Sequence, residues 1–499
     1  MNNDKTYILN PAYYLRNDVK RCIIGTYEEP GVDIEFSDPW LSLIHPANAQ
    51  LLSFFNGKSC LSDCLTNISE YFGLTIDETI RVVSRYIGNK KSFSIKTEEN
   101  TMFLPKNVLI EKNHMNRNEL YTPDMFICKE VDFNNQRLYK PISATLELLF
   151  DCYTDCTYCY ADRSRRSTGY HMSVQQIVNI IKDAKASGIV ELDINGGEVL
   201  LHKNYKEILR EFSINGYFPL ISTKIPVKEE TLKYLKTIEM LKFQISLDSI
   251  NPHTLSATLG TGPNYIEEIR KTMKLLDEMG FEWQVHTIIT KYNQSISAEI
   301  EPLINELIQY KNIKKIRISP AGPSIYKSPA HYNKIKISEK FYKELEIYID
   351  SVAACISNIS ISMSEADCKY HYTDQVREAE FHKRSICTGN ARSFIILPDG
   401  KVTICEELYW HPELIIGDLT KQSILEMWNS DKSVNLFNIS RKQISEGSPC
   451  KACEIFSKCR HIKGVCWKII LMAYGNENWD FPDPRCPLAP EPYNEFYLV

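Results

Sequence analysis

The chain has 499 residues, of which 43% are hydrophobic and 24% charged, a composition that fits a multi-domain globular protein and excludes a single-core peptide or a disordered tail. With 63 acidic against 58 basic residues and a net charge of −5, it has no electrostatic footprint for nucleic acid. No apolar run approaches the roughly 20 residues that span a bilayer, and the N-terminal segment MNNDKTYILNPAYYLRNDVK lacks the apolar core of a signal peptide, so a cytoplasmic protein without a membrane partner is expected.

Residues 1–98 read as a small α/β module. A strand pair is expected around Tyr7–Leu9 and Arg21–Thr26, followed by a helix from Ala47 to about Asn56 with Leu51, Leu52 and Phe55 on one face. A second helix over 61–72 carries Leu61, Leu65, Ile68, Tyr71 and Phe72 and stops at Gly73, and Asp77 caps a third with Ile80, Val83 and Ile87 inward. The polar stretch 99–138 reads as a connector with some local structure. From 139 to 345 short apolar runs alternate with helical periodicity, which argues for parallel β–α units. Six strands are expected, over 144–150, 190–195, 219–223, 241–248, 283–289 and 314–319. Between the first two, Ser173 and Gln176 form a capping-box pattern ahead of a helix ended by Gly188, and Ile266, Ile269, Met273 and Leu276 line another ended by Gly280. Residues 346–385 bridge to a region, 386–499, that is poor in periodicity and rich in Cys, Gly and Pro, so metal is expected to organise its fold.

The 16 cysteines dominate the chemistry, because clustered cysteines in a reducing compartment more often bind metal than form disulfides. Cys152, Cys156 and Cys159 stand in FDCYTDCTYCYA, directly after the first barrel strand. Three thiolates on one loop can hold three irons of a four-iron cube and leave the fourth open. Zinc is the alternative, but a closed zinc site takes four protein ligands and no fourth Cys or His lies nearby in sequence. At the end of the second strand comes Asn195-Gly196-Gly197-Glu198. Ser222-Thr223-Lys224 ends the third and Ser246-Leu247-Asp248 the fourth, all at the carboxyl-end rim where parallel sheets bind ligands, although polar strand ends that merely face water read the same way. Seven further cysteines follow: Cys387, Cys405, Cys450, Cys453, Cys459, Cys466 and Cys486, with a pair of zinc sites as the alternative to iron–sulfur ligation. Cys60 and Cys64, one helical turn apart, read as core residues.

The Cys-x3-Cys-x2-Cys spacing, with aromatic Tyr158 before the last Cys, resembles the signature of the radical S-adenosylmethionine (SAM) superfamily. The resemblance implies a partial (β/α)6 barrel, a SAM-binding [4Fe–4S] cluster on Cys152, Cys156 and Cys159, and SAM contacts from Tyr158, Gly196, Gly197, Glu198, Ser222, Ser246 and Asp248. Glu198 and its glycines would receive the methionine ammonium of SAM. Val199 stands where the family usually has Pro.

The C-terminal pattern, with Leu397-Pro398-Asp399-Gly400-Lys401 before Cys405, Gly417-Asp418-Leu419 and Glu426-Met427-Trp428-Asn429, resembles the SPASM domain of peptide and protein maturases. By position, Cys387, Cys405 and Cys466 would hold a nearer auxiliary [4Fe–4S] cluster, and Cys450, Cys453, Cys459 and Cys486 a farther one. Six residues separate Cys459 from Cys466 where the family usually has three, and the nearer cluster takes either Cys368 as a further ligand or keeps an open iron. The N-terminal module resembles the winged-helix-like recognition element that binds the leader of ribosomally made precursor peptides, a DNA-binding winged helix being disfavoured by the absence of strong positive charge.

Together these resemblances imply a maturase of ribosomal peptides in which an external flavodoxin or ferredoxin reduces the cluster, SAM is cleaved to a 5′-deoxyadenosyl radical, and substrate hydrogen abstraction leads to a Cys thioether crosslink of the sactipeptide or ranthipeptide kind. Carbon–carbon or carbon–oxygen crosslinks, formylglycine formation in a sulfatase, and a non-catalytic iron–sulfur carrier or peptide scaffold are the other readings.

Overall fold

The computed structural model describes residues 4–26, 40–96, 101–112, 120–161, 171–364, 381 and 387–493. The chain divides into two compact units, Met1–Lys140 and Pro141–Val499. Among the described residues, no helix is long and apolar enough to cross a membrane.

In the first unit, strands β2 (Tyr13–Asn17), β3 (Cys22–Thr26) and β4 (Leu41–Ile44) form an antiparallel sheet in that order. Helices α1 (Pro46–Ser53), α2 (Leu61–Phe72) and α3 (Ile76–Val83) follow, then a hairpin of β5 (Phe93–Lys96) and β6 (Thr101–Leu104). The expected strand β1 (Tyr7–Leu9) exists, but its partner is β7 (Leu109–Glu111), not the strand at 22–26. The N-cap of α3 is Thr75 and not Asp77: its hydroxyl accepts from the Glu78 amide while Glu78 reaches back, a full capping box. Tyr71 stands 43% exposed rather than on the buried face of α2.

Residues 99–138 are not a free connector, since β6 and β7 complete this unit. Its closing stretch is anchored at Arg21, whose fully buried guanidinium donates to Asp18 at 3.0 Å and to the carbonyls of Arg137 at 2.9 Å and Asn135. The second oxygen of Asp18 accepts from the Lys140 amide at 3.0 Å. Removing one member of such a buried pair strands the other charge, at a cost of about 3–5 kcal/mol.

The second unit contains the six expected parallel strands: β8 (Ser143–Glu147), β9 (Glu191–Asn195), β10 (Ile221–Thr223), β11 (Lys242–Ser246), β12 (Glu282–Ile289) and β13 (Ile313–Pro320). Two more parallel strands went unforeseen. β14 (Ser360–Met363) extends the sheet beyond β13, and β15 (Ser393–Ile396) pairs with β8. From β15 an antiparallel ribbon of β16 (Lys401–Thr403) and β17 (Ile415–Asp418) continues the same sheet, so the C-terminal region begins as a direct extension of the barrel wall. The wall is two five-stranded sheets, with a break between β9 and β10.

Alternation along the strands decides which side chains face the interior. Phe243, Ile245, Trp283 and Val285 are all but fully buried, whereas the intervening Gln244, Ser246, Gln284 and His286 are half-buried. Register then aligns Gln244 with Gln284, and Ser246 with His286 and Arg317. The result is a polar stripe across three neighbouring strands.

Candidate functional site

The loop after β8 carries Cys152, Cys156 and Cys159, and it is held from several directions. The amides of Asp155 and Thr157 donate to the carbonyls of Leu259 and Thr258 at 2.8 and 2.9 Å. Lys327 and His331 bond the Thr157 carbonyl at 2.9 and 2.7 Å, and Ser324 bonds that of Tyr160 at 2.8 Å. The Gly196-Gly197-Glu198 segment braces the loop from beneath: the Gly197 amide donates to Leu149 O at 2.5 Å and that of Glu198 to Asp151 O at 2.8 Å. A Cβ at Gly197 would lie 2.1 Å from the Asp151 oxygen, and one at Gly196, whose φ is +124°, 2.4 Å from the Leu149 oxygen. Only glycine permits this approach.

Cys152, Cys156 and Cys159 open on a cavity of about 740 Å³ at the carboxyl ends of the strands, also lined by Tyr158, Gly196, Gly197, Glu198, Ser222 and Ser246. That volume suits a drug-sized ligand. Glu198 is 3% exposed, and its carboxylate accepts from Thr223 Oγ1 at 2.9 Å, the Lys224 amide at 3.0 Å and the Leu200 amide at 3.4 Å. Burial raises its pKa while these donors pull it down. Asp248, expected at the cavity, instead sits fully buried behind its wall. It accepts from the Tyr158 hydroxyl and from the Ile288 amide at 2.9 Å, and Lys224 Nζ lies 4.0 Å away. Lys224 Nζ also donates to the Tyr158 hydroxyl at 3.0 Å. Asp248 therefore fixes Tyr158 rather than facing a ligand. Burial and the Asp248 charge hold the Tyr158 phenol well above its ordinary pKa, so it remains a donor.

Several cavity residues lay outside the sequence reading. Gln244 donates to Ser222 at 2.9 Å and accepts from Gln284 at 2.8 Å. His286 bonds Ser319 at 2.9 Å, which bonds Ser364 at 2.8 Å, and Arg317 Nε donates to Ser364 at 3.0 Å. The polar positions of the β-strand alternation were their only signal. Burial, reinforced by the nearby cations Arg317, Lys224 and Lys315, pushes His286 down to about 4, so its imidazole is neutral near pH 7. Glu406, Glu407 and Lys468 close the cavity from the C-terminal region. Lys468 pairs with Glu407 at 2.5 Å, and Asn195 donates to Glu406 at 3.4 Å. Glu147, 2% exposed with one oxygen lacking a hydrogen-bond partner among the described residues, is raised well above the carboxylate range by burial and by Glu406.

The seven C-terminal cysteines fall in two groups. Cys405 and Cys466 feel each other electrostatically, as do Cys466 and Cys387, and burial pushes Cys405 up to about 12 and Cys466 to about 11. Cys450, Cys453, Cys459 and Cys486 line one largely apolar cavity of about 130 Å³. Thiols facing a shared volume suit a four-iron cube, whose metal also supplies the charge a buried thiolate needs. Cys368 lies outside the described residues.

Residues 146–307 match the Radical SAM superfamily, and residues 387–454 match the iron-sulfur cluster-binding SPASM domain. The chain is a radical SAM protein with a SPASM domain. Its cofactors are SAM and [4Fe–4S] clusters, auxiliary ones included. Among curated relatives, the sporulation killing factor maturation protein SkfB of Bacillus subtilis is 23% identical over 60% of this chain and 67% of its own length. The antilisterial bacteriocin subtilosin biosynthesis protein AlbA, also of B. subtilis, is 28% identical over 30% of this chain and 36% of its own. Among solved structures, Streptococcus suis SuiB bound to its precursor peptide SuiA superposes with a TM-score of 0.61 over 96% of this chain and 100% of SuiB, at 14% identity. The likeness in fold therefore extends along nearly the whole chain.

Two outcomes follow for the radical SAM domain. Gly197→Ala is expected to displace the cysteine loop and lower iron content after anaerobic purification, whereas Gly262→Ala, with open space around its Cβ, leaves it unchanged; equal iron in both would refute the bracing role. Because the folded pKa of His286 lies below its ordinary 6.5, its stabilising contribution is complete above pH 6.5 and is lost as pH falls toward 4. The urea midpoint of the wild type should accordingly drop more between pH 7 and pH 5 than that of His286→Gln.

Proposed function

We propose that this radical SAM enzyme matures a ribosomally synthesised precursor peptide by forming Cys thioether crosslinks. One observation carries the reading: a single cavity is lined on one side by the Cys152–Cys159 loop and on the other by Glu406 and Glu407, which follow Cys405 directly. A peptide bound there lies between the site of radical initiation and an auxiliary site able to take the electron that thioether formation releases. The names of SkfB and AlbA, and the peptide held by SuiB, support a peptide substrate.

In this reading Cys152, Cys156 and Cys159 hold the SAM cluster, Cys387, Cys405 and Cys466 the nearer auxiliary cluster, and Cys450, Cys453, Cys459 and Cys486 the farther one. When bound, the reduced cluster supplies the electron that cleaves SAM to methionine and a 5′-deoxyadenosyl radical, chemistry no side chain offers. The protein's own work is placement. Gly196, Gly197 and the buried Glu198 set the height of the cysteine loop; Ser222 and Ser246 present hydroxyls along the barrel interior; Asp248 and Lys224 lock the Tyr158 ring in the wall. With Glu198 occupied by three protein donors, the segment offers SAM's ammonium the backbone oxygens of the glycines more readily than the carboxylate.

The N-terminal unit, with its three-stranded sheet, three helices, β5–β6 hairpin and β1–β7 pair, serves as the leader-binding element. An external flavodoxin- or ferredoxin-like protein donates the electrons, and the work is done in the cytoplasm.

Anaerobic incubation with reductant, SAM and a cysteine-bearing precursor should give 5′-deoxyadenosine and a peptide that has lost two hydrogens and one free thiol per crosslink. The triple Cys152/Cys156/Cys159→Ala variant should give neither. Crosslinked product with every thiol still free would move the chemistry to carbon–carbon or carbon–oxygen bonds. Because the β1–β7 and β5–β6 pairings straddle residue 98, the informative deletion removes residues 1–140. It should abolish precursor binding and leave peptide-independent SAM cleavage; undiminished affinity would sink the leader-binding role.

A further inference from the structure

Arg460 lies on the π-helical turn Lys458–Lys463, within the six-residue spacing between Cys459 and Cys466. It is 4% exposed and lines the cavity shared by Cys450, Cys453, Cys459 and Cys486. Its Nη2 donates to Cys450 Sγ at 3.2 Å and to the carbonyls of Asp480 and Phe481, each at 2.8 Å. Its Nε and Nη1 are buried with no acceptor among the described residues. The guanidinium carbon stands 5.5 Å from the Trp467 ring centroid, within cation–π range.

Among the described residues no carboxylate pairs with this charge: Asp480, whose carbonyl it bonds, accepts at its own carboxylate from the Ser445 amide at 2.5 Å. Asp483, the acid lining the same cavity, is bound at its two oxygens by Arg485, at 2.8 Å each. A buried guanidinium without a counter-charge costs several kcal/mol, and natural proteins rarely leave two of its N–H groups unused. The matching anion is a cluster on the four cysteines: four thiolates around a [4Fe–4S] core in its oxidised resting state carry a net charge of about −2, and one more negative charge on reduction.

We propose that Arg460 is the counter-charge of the farther auxiliary cluster and sets its reduction potential. The proposal rests on the reading of Cys450, Cys453, Cys459 and Cys486 as its ligands. A fixed positive charge and a hydrogen bond to a ligand sulfur both stabilise the more negative, reduced cluster, and so raise its potential. The low-dielectric surroundings keep that effect unscreened by salt. Arg460 is thereby a positioning and tuning residue, touching the ligand sulfur and not the peptide.

The test is an EPR-monitored redox titration of the anaerobically reconstituted full chain, with iron and sulfide analysis, for wild type, Arg460→Gln and Arg460→Lys. At the wild-type midpoint, Arg460→Gln should lower the reduced-to-oxidised ratio of this cluster at least tenfold, a downward shift of at least 59 mV for a one-electron couple. Arg460→Lys, which keeps the charge but not the fork, should recover at least half of that shift. An unchanged midpoint in a fully loaded Gln variant overturns the proposal. Should the Gln variant lose this cluster's iron, retention by the Lys variant supports the counter-charge, and equal loss from both overturns it in favour of a packing role. A wild type without a second auxiliary cluster sinks the ligand reading itself, and is distinguished by appearing before any substitution.

Discussion

The geometry of the catalytic unit hangs on a backbone contact. The chain leaving β8 and the chain leaving β9 approach so closely that a side chain on either glycine of Gly196-Gly197 would collide with the carbonyls of Leu149 or Asp151. Two amide bonds, from Gly197 and Glu198, fasten this approach, and the cysteine loop begins one residue later. Such a contact differs in kind from hydrophobic packing, which tolerates shifts of a few tenths of an ångström. A hydrogen-bonded backbone crossing with no Cβ fixes the loop's height above the sheet, and on the proposed ligation the three thiols that share one cluster depend on that height. The proposed role of this segment as a SAM contact and its role as a brace are compatible, since both glycines also line the cavity.

Around this fixed point the barrel assembles its polar surface by strand register. Gln244, Gln284, His286 and Arg317 are brought into line because β11, β12 and β13 pair in parallel with the apolar alternates turned toward the helices. The stripe is internally hydrogen-bonded through Ser222, Ser319 and Ser364, so its groups are oriented before any ligand arrives. Behind it, Asp248 is fully buried and bonded by Tyr158, the Ile288 amide and, at longer range, Lys224. Burying a carboxylate is costly without such donors. Here the donors include the ring that stands beside the last cysteine of the loop, which links the fourth strand of the barrel to the position of the cluster site.

Much of this was legible in the sequence because local signals and tertiary use agree. The six barrel strands carry apolar runs, the capping box at Ser173 and Gln176 marks its helix, and the cysteine spacing places the loop. The failures share a physical cause. β5, β6, β14 and β15 are only four residues long, too short for periodicity to distinguish them from loop, and their existence is decided by pairing partners distant in sequence. The stretch 99–138 reads as polar linker because its strands, β6 and β7, are only four and three residues long, yet Arg21 holds its far end by bonds no local pattern reveals. Asp248 was misread for a related reason: a carboxylate at a strand's carboxyl end looks the same in sequence whether it faces the cavity or lies one layer behind, and only the Tyr158 hydroxyl decides between them.

Buried polar atoms without partners carry the remaining argument. A folded chain satisfies nearly all such atoms, so those left over mark places where something other than protein is meant to complete the arrangement, or where a group is kept neutral. Both cases occur here. Glu147 lacks a partner at one oxygen and is driven toward its neutral form by burial and by Glu406, which removes the cost of an isolated buried charge. Arg460 cannot take that course, because a guanidinium does not give up its proton in a protein. Its Nη2 bonds the sulfur of one of the four cysteines that line its cavity, while its Nε and Nη1 have no acceptor among the described residues; on the proposed ligation those thiols become anionic when they bind iron, and cation and cluster then balance each other.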